Sequence, residues 1–84
     1  MTKLEAKLVE LGYEQLNYKN DDYLTYRKFT KFQCTIAIGL SNDRSRIHKS
    51  YINDKIISQH DIDNLQLAFN QMQKDLKELK QCQN

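Results

Sequence analysis

The residue types that most often carry chemistry are few in this chain of 84 residues and lie far apart. His48 and His60 fall on different predicted elements, and they lack the i, i+4 spacing with which two helical histidines bind zinc. The acidic pairs at 21–22 and 61–63 are explained by a turn and by the positive end of a helix dipole. No nucleophile stands beside a base, and no Gly-rich phosphate loop is present. The sequence therefore predicts no enzyme, no metal site and no cofactor.

Positive charge is concentrated in one part of the chain. The segment 27–49 carries six basic residues and one acidic residue, a charge of +5, whereas the whole chain carries only +2. Basic groups interleaved with tyrosines can contact phosphate and stack on bases. The alternative is a solvated sheet face with ordinary surface charges. The candidate residues for binding nucleic acid or another partner are Tyr26, Arg27, Lys28, Arg44, Arg46 and His48.

Two helices and a set of strands must position these side chains. Thr2 and Glu5 have the spacing of a capping box, and Gly12 is suited to end a helix, so we expect a short helix at about 3–11. Tyr-rich segments at 13–18 and 23–29 predict a hairpin around a turn at 20–22, although the first strand is weak.

The segment 32–40 (FQCTIAIGL) is the clearest strand. Phe32 and every second residue to Leu40 form an apolar face, while the other face is small or polar, as expected of a sheet that is covered on one side. A returning strand is predicted at 46–52. If Ile47 and Tyr51 face the core, Lys49 does too, which is a known device of edge strands.

A long helix is predicted at about 59–81, with Ser58 as its N-cap and Ile57 and Ile62 as a hydrophobic staple. Its apolar positions recur every three or four residues, which predicts a helix that lies across the sheet of its own chain. Leu67 lies off this seam, and we expect it to pack against the first helix. The last turns can overhang the sheet, and the candidates for self-association as a homodimer are Leu76 and Leu79.

Together these elements predict a single α+β domain over residues 1–84, in the order α-β-β-β(-β)-α. Its antiparallel sheet is covered on one face by the long C-terminal helix. Cys34 and Cys82 show no disulfide or CxxC pattern, which is typical of a reduced cytosolic protein. No apolar run approaches the roughly 20 residues of a membrane span, and the N-terminal residues lack the apolar core of a signal peptide. We expect no membrane partner.

The runs LGYE (Leu11 to Glu14) and IDNLQLAFNQMQKDLKEL (Ile62 to Leu79) resemble small proteins from phages and prophages of Gram-positive bacteria. The likeness covers the overall plan of a leading helix, a Tyr-rich meander and a closing helix. It carries over no functional residues. It implies a phage accessory protein in the cytoplasm of a bacterial host cell, where such proteins often bind and inhibit host factors, including defence nucleases.

The preferred functional hypothesis is therefore a non-catalytic protein that binds a host protein. The alternatives are a nucleic-acid-binding accessory protein that uses the region 27–49, and a structural homodimer. Convergence of the arginines would favour nucleic acid. An apolar or Tyr-rich patch exposed away from the arginines would favour a protein partner.

Overall fold

Two helices cover one face of a four-stranded antiparallel sheet, which confirms the predicted α+β class. The computed structural model describes residues 1–16, 24–53 and 59–83. The elements are α1 (Lys3–Glu10), β1 (Glu14–Gln15), β2 (Thr25–Phe29), β3 (Thr35–Leu40), β4 (Ile47–Asn53) and α2 (Gln59–Lys80). Strands that follow each other in the sequence are neighbours in the sheet, and each pair is antiparallel.

Local hydrogen bonds fix both ends of α1. The Thr2 side chain accepts the Glu5 N–H at 3.1 Å, and the Glu5 carboxylate accepts the Thr2 N–H at 3.1 Å. The predicted capping box is thus confirmed. At the other end Gly12 has φ of +96°, and the Tyr13 N–H donates to the Leu8 carbonyl at 2.9 Å. This Schellman arrangement needs a residue that tolerates positive φ, which explains the glycine.

The central strand β3 shows the predicted alternation. Its helix-facing side chains Ile36, Ile38 and Leu40 are buried in the core, and Cys34 just before the strand is buried as well. Phe32 differs from the prediction because the strand begins only at Thr35. The turn before it is closed by hydrogen bonds between Thr30 and Cys34, and it leaves Phe32 half-buried outside the strand.

The strand β4 is at an edge of the sheet as predicted, but its facing was predicted wrongly. Leu40 pairs with Ile47 and Gly39 pairs with Lys49, so His48 is an extra residue that forms a β-bulge. The bulge shifts the alternation by one residue. Ile47 and Ile52 both pack against the core. Lys49 lies beside Gly39 on the opposite face, so it does not point inward.

The row of apolar side chains along α2 is buried at the C-terminal end of the helix and exposed at the N-terminal end. Leu76 and Leu79 are buried against α1 and the sheet, so these two predicted self-association residues are not available at the surface. At the other end, Ile62 and Phe69 remain exposed. Leu67 is also exposed, and the prediction that it packs against α1 is wrong. Among the described residues, no helix is both long and apolar enough to cross a bilayer.

Several predicted features fall outside the described residues. They are the turn at 20–22, the second half of the strand predicted at 13–18, the Ser58 N-cap and the contribution of Ile57 to the hydrophobic staple.

Candidate functional site

One cluster of predicted binding residues lies in the interior, around a carboxylate of α1. Glu5 occupies a buried position beside the core residue Leu4. The Tyr26 hydroxyl donates to Glu5 Oε2 at 2.8 Å, and an Arg44 guanidinium nitrogen lies 3.5 Å from the same oxygen. The Thr2 hydroxyl also donates to the Arg44 carbonyl at 2.8 Å. This cluster ties α1 to β2 and to the turn between β3 and β4.

A second cluster also combines a buried carboxylate, a tyrosine and a basic residue, and its carboxylate belongs to α2. Asp75 is only 2% exposed and forms a salt bridge with Lys28 of β2. The Tyr13 hydroxyl donates to Asp75 Oδ2 at 2.8 Å, and the Gln71 amide donates to Oδ1 at 3.0 Å. The Lys28 ammonium also lies 4.6 Å from the centroid of the Tyr13 ring and donates to the Leu11 carbonyl at 3.2 Å.

The pKa values of these clusters follow from burial and hydrogen bonding. Burial raises the pKa of the Tyr13 phenol far above its usual range, and the hydrogen bond to Asp75 adds to the rise. Burial, followed by the bond to Glu5, raises the pKa of Tyr26 to about 12. For Glu5, burial acts to raise the pKa, but the hydrogen bonds from Thr2 and Tyr26 and the charge of Arg44 outweigh it and keep the pKa below its usual value. Both tyrosines are therefore held neutral as donors to carboxylates.

These contacts give three of the six candidate binding residues a role in the fold. Tyr26, Lys28 and Arg44 are hydrogen-bonded or ion-paired to the two interior carboxylates, so they link the elements of the fold. Two of the basic residues in the region 27–49 therefore pair with carboxylates of the two helices. Removing either cation would leave a buried charge without its partner.

The remaining candidates do not converge. Arg27 is exposed and faces away from the helices, opposite Ala37 in the sheet. Arg46 and His48 are exposed at the start of β4, and the Arg46 carbonyl accepts the N–H of Ser41. With strands about 4.8 Å apart and residues about 3.4 Å apart along a strand, Arg27 and Arg46 are separated by roughly 17 Å. The six predicted residues therefore do not form one surface.

Within residues 1–16, 24–53 and 59–83, no group of three His, Cys, Asp or Glu side chains is arranged to bind a metal ion.

The structure instead presents an apolar groove between the edge strand β4 and the first half of α2. Its volume is about 510 Å³. Ile62 and Phe69 on its helical wall are 45% and 44% exposed. The described residues that line it are Ser50, Tyr51, Ile52, Ile62, Leu65, Gln66, Phe69 and Met72. None of them carries a formal charge.

The groove exists because the two helices differ in length. With 22 residues α2 is about 33 Å long, whereas α1 has 8 residues and is about 12 Å long. The hydrophobic core joins α1 to the second half of α2, at Met72, Leu76 and Leu79. Among the described elements, no helix lies beside the first half of α2. Within the described residues, the apolar side chains Ile62, Leu65 and Phe69 of this half therefore lie beside the edge strand β4.

The sequence analysis did not identify either interior cluster. It also predicted exposed apolar residues in the last turns of α2, whereas the structure exposes Ile62 and Phe69 of the first half. A signal for the clusters was present: Glu5 lies between Leu4 and Leu8 on the buried side of α1, and Asp75 lies between Met72 and Leu79 on α2. A carboxylate at such a position must find partners inside the fold. The length of α1 was the signal for the groove, because a short helix cannot cover a long neighbour.

Comparison with known proteins assigns no family, because no family model, no curated protein and no solved structure matches the chain.

Proposed function

We propose that this protein is a non-catalytic binding protein that holds an apolar segment of a partner protein in the groove between β4 and α2. The observation that supports this most directly is the composition of the groove. None of the described residues that line it is charged, and they include the aromatic ring of Phe69 and the side chain of Met72. Depletion of charge with enrichment of aromatic residues and methionine is the usual composition at the centre of a protein interface.

The edge strand supports the same proposal. Within the described residues, β4 is the last strand of the sheet and no further strand pairs with its outer edge. An extended segment can add to such an edge through main-chain hydrogen bonds, while its side chains enter the neighbouring pocket. The bulge at His48 interrupts regular pairing, so the residues that can receive a strand are those after it. Ser50, Tyr51 and Ile52 are also the residues of β4 that line the groove.

The exposed area favours a segment of another protein over a permanent dimer. Ile62 and Phe69 are each less than half exposed. For side chains of this size the exposed part amounts to roughly 200 Å² in total. Obligate dimers bury roughly 2,000 Å² or more over both subunits. A patch of this extent suits the few anchoring side chains at the centre of a smaller, reversible interface.

The biological setting is part of the proposal. The resemblance of LGYE and of the 62–79 run to small phage and prophage proteins supports a role in the cytoplasm of a bacterial host. The partner we propose is accordingly a host protein, and occupation of the groove would allow this protein to inhibit or redirect it.

Capture from a lysate of a Gram-positive bacterium, with and without nuclease treatment and with matched variants as bait, tests the proposal. Phe69→Gln and Ile62→Gln alter the groove. Leu67→Gln is the control, because Leu67 lies on the same helix and is as exposed as Ile62, at 45%, yet does not line the groove. We expect one protein that is retained by the wild type and by Leu67→Gln but lost with both groove variants. With that protein purified, Phe69→Gln should weaken binding at least about tenfold.

Capture that is equal for all four baits would contradict the role of the groove. A wild-type dimer in sedimentation that Phe69→Gln dissociates would replace the host protein by a second copy of this chain. Capture that vanishes on nuclease treatment would show that nucleic acid, and not the groove, had bridged the proteins.

A further inference from the structure

No described helix packs on the face of the sheet opposite α1 and α2, which is called here the open face. Thr25 and Ala37 on this face are buried, whereas its longer side chains are exposed. The molecule measures 18 Å along its shortest axis, which is the thickness of one sheet and one layer of helices. By the register of the strands, the side chains on the open face include Arg27, Phe29, Thr35, Ala37, Lys49 and Tyr51.

Two aromatic rings stand on the open face. Phe29 is 71% exposed, so it contributes little to the core, and Tyr51 is 43% exposed. Phe29 pairs with Thr35 and Tyr51 pairs with Ala37, on opposite sides of β3. Their positions are therefore two strands apart sideways and two residues apart along the strands, or about 12 Å. The rings are far enough apart to receive two different planar groups.

Two cations accompany the rings. Arg27 lies opposite Ala37 on β2, across that residue from Tyr51. The Lys49 stem lies flat on Gly39, where a Cβ would come within 3.0 Å of it, and its ammonium is 5.8 Å from the centroid of the Tyr51 ring. Glu14, opposite Arg27 on β1, places an acidic group on the same face. Neither cation forms a salt bridge with a carboxylate of the described residues.

We propose that the open face binds single-stranded nucleic acid, with bases stacked on Phe29 and Tyr51 and phosphates paired with Arg27 and Lys49. The alternation of rings and cations matches the alternation of bases and phosphates along a strand, and the excess of positive charge complements the phosphates. Thr35 and Ala37, which have small side chains, lie between the two rings. A double helix is excluded as the preferred ligand because its bases are already stacked and the flat face has no element that can enter a groove.

This function is separate from that of the groove. Phe29 belongs only to the open face and Phe69 only to the groove, so the same substitution at the two positions distinguishes the two sites.

Fluorescence anisotropy with labelled oligo(dT) and oligo(U) of about 15 nucleotides, and with a duplex of the same length, tests the proposal. We expect both single strands to bind more tightly than the duplex. Phe29→Ala should weaken binding about 5- to 150-fold, the effect of losing one stacked base, while Phe69→Ala changes it little. Arg27→Ala and Lys49→Ala should each lower the slope of log Kd against log salt by about 0.7, whereas Lys74→Ala, an exposed change on α2, should not.

Three results would overturn the proposal. They are the absence of an anisotropy change with every oligonucleotide at about 50 mM salt, equal binding of duplex and single strands, and binding that Phe29→Ala leaves intact. Circular dichroism of each variant establishes that its fold is retained. A preference between oligo(U) and oligo(dT) assigns the ligand to RNA or DNA.

Discussion

Replacing Lys28 by Met removes the cation that pairs with buried Asp75, and its effect on stability can be worked out from the structure. Lys28 is 16% exposed and Asp75 is 2% exposed, so water can replace the lost partner only poorly. Removing one member of a buried ion pair costs about 3–5 kcal/mol. Because Asp75 keeps its hydrogen bonds from Tyr13 and Gln71, we expect the lower end of that range, about 3 kcal/mol.

This loss is large for a domain of 84 residues, whose free energy of unfolding is expected to be about 4–12 kcal/mol. The melting temperature should fall by about 12–24 °C. Urea unfolding followed by far-ultraviolet circular dichroism measures the change directly. An unchanged dependence on urea would show that the native state has kept its compactness.

Lys74→Met provides the matched control, because Lys74 is exposed on α2 and should change stability by no more than about 0.5 kcal/mol. A loss below about 1 kcal/mol for Lys28→Met would refute the reasoning, since Tyr13 and Gln71 would then be sufficient to stabilise the Asp75 carboxylate.

Two further predictions concern the end of α1 and the Tyr26 cluster. Gly12→Ala should destabilise the protein by about 1 kcal/mol, because φ of +96° is strained for alanine, while the added Cβ meets the Lys28 side chain at an ordinary 3.5 Å; a melting temperature equal to that of the wild type would contradict this. The pKa of Tyr26 is raised from 10.0 to about 12, so its stabilising effect is fully present below about pH 10 and is lost as the pH rises to about 12. The urea midpoint of the wild type should therefore fall more steeply over that interval than that of Tyr26→Phe, and parallel curves would show that Tyr26 ionises freely in the folded protein.

Local sequence signals were sufficient wherever a structure depends on residues close together in the chain. The capping box at Thr2 and Glu5, the helix end at Gly12 and the edge position of β4 could all be predicted. The buried face of β3 could also be predicted, because a strand without irregularity keeps its period of two residues.

The facing of β4 could not be predicted from periodicity, because one unpaired residue reverses it. Ile47 and Tyr51 have the same parity in the sequence, but the bulge at His48 places them on opposite faces. Composition offered no marker at this position, since His, unlike Gly, gives no indication of a bulge.

The structural roles of the basic candidate residues could not be predicted for a different reason. Whether a basic residue remains a surface charge or forms an ion pair with a buried carboxylate depends on where a distant helix places its acidic residues. Lys28 meets Asp75, which is 47 residues later in the chain, and Arg44 meets Glu5, which is 39 residues earlier. Patterns within a single element contain no information about such pairs, and the groove likewise arises from the relative lengths of α1 and α2.

The bulge has a consequence for how this protein tolerates changes in length. Deletion of His48 would remove the extra residue and leave a continuous strand in which Ile47 still pairs with Leu40, Lys49 with Gly39 and Ile52 with Ile36. Every side chain of β4 would therefore keep its face. The bulge thus absorbs a change of one residue in the length of the chain without exchanging the inner and outer surfaces of the strand. The facing of Ile47 and Ile52 depends on their partners in β3, and not on the number of residues between them.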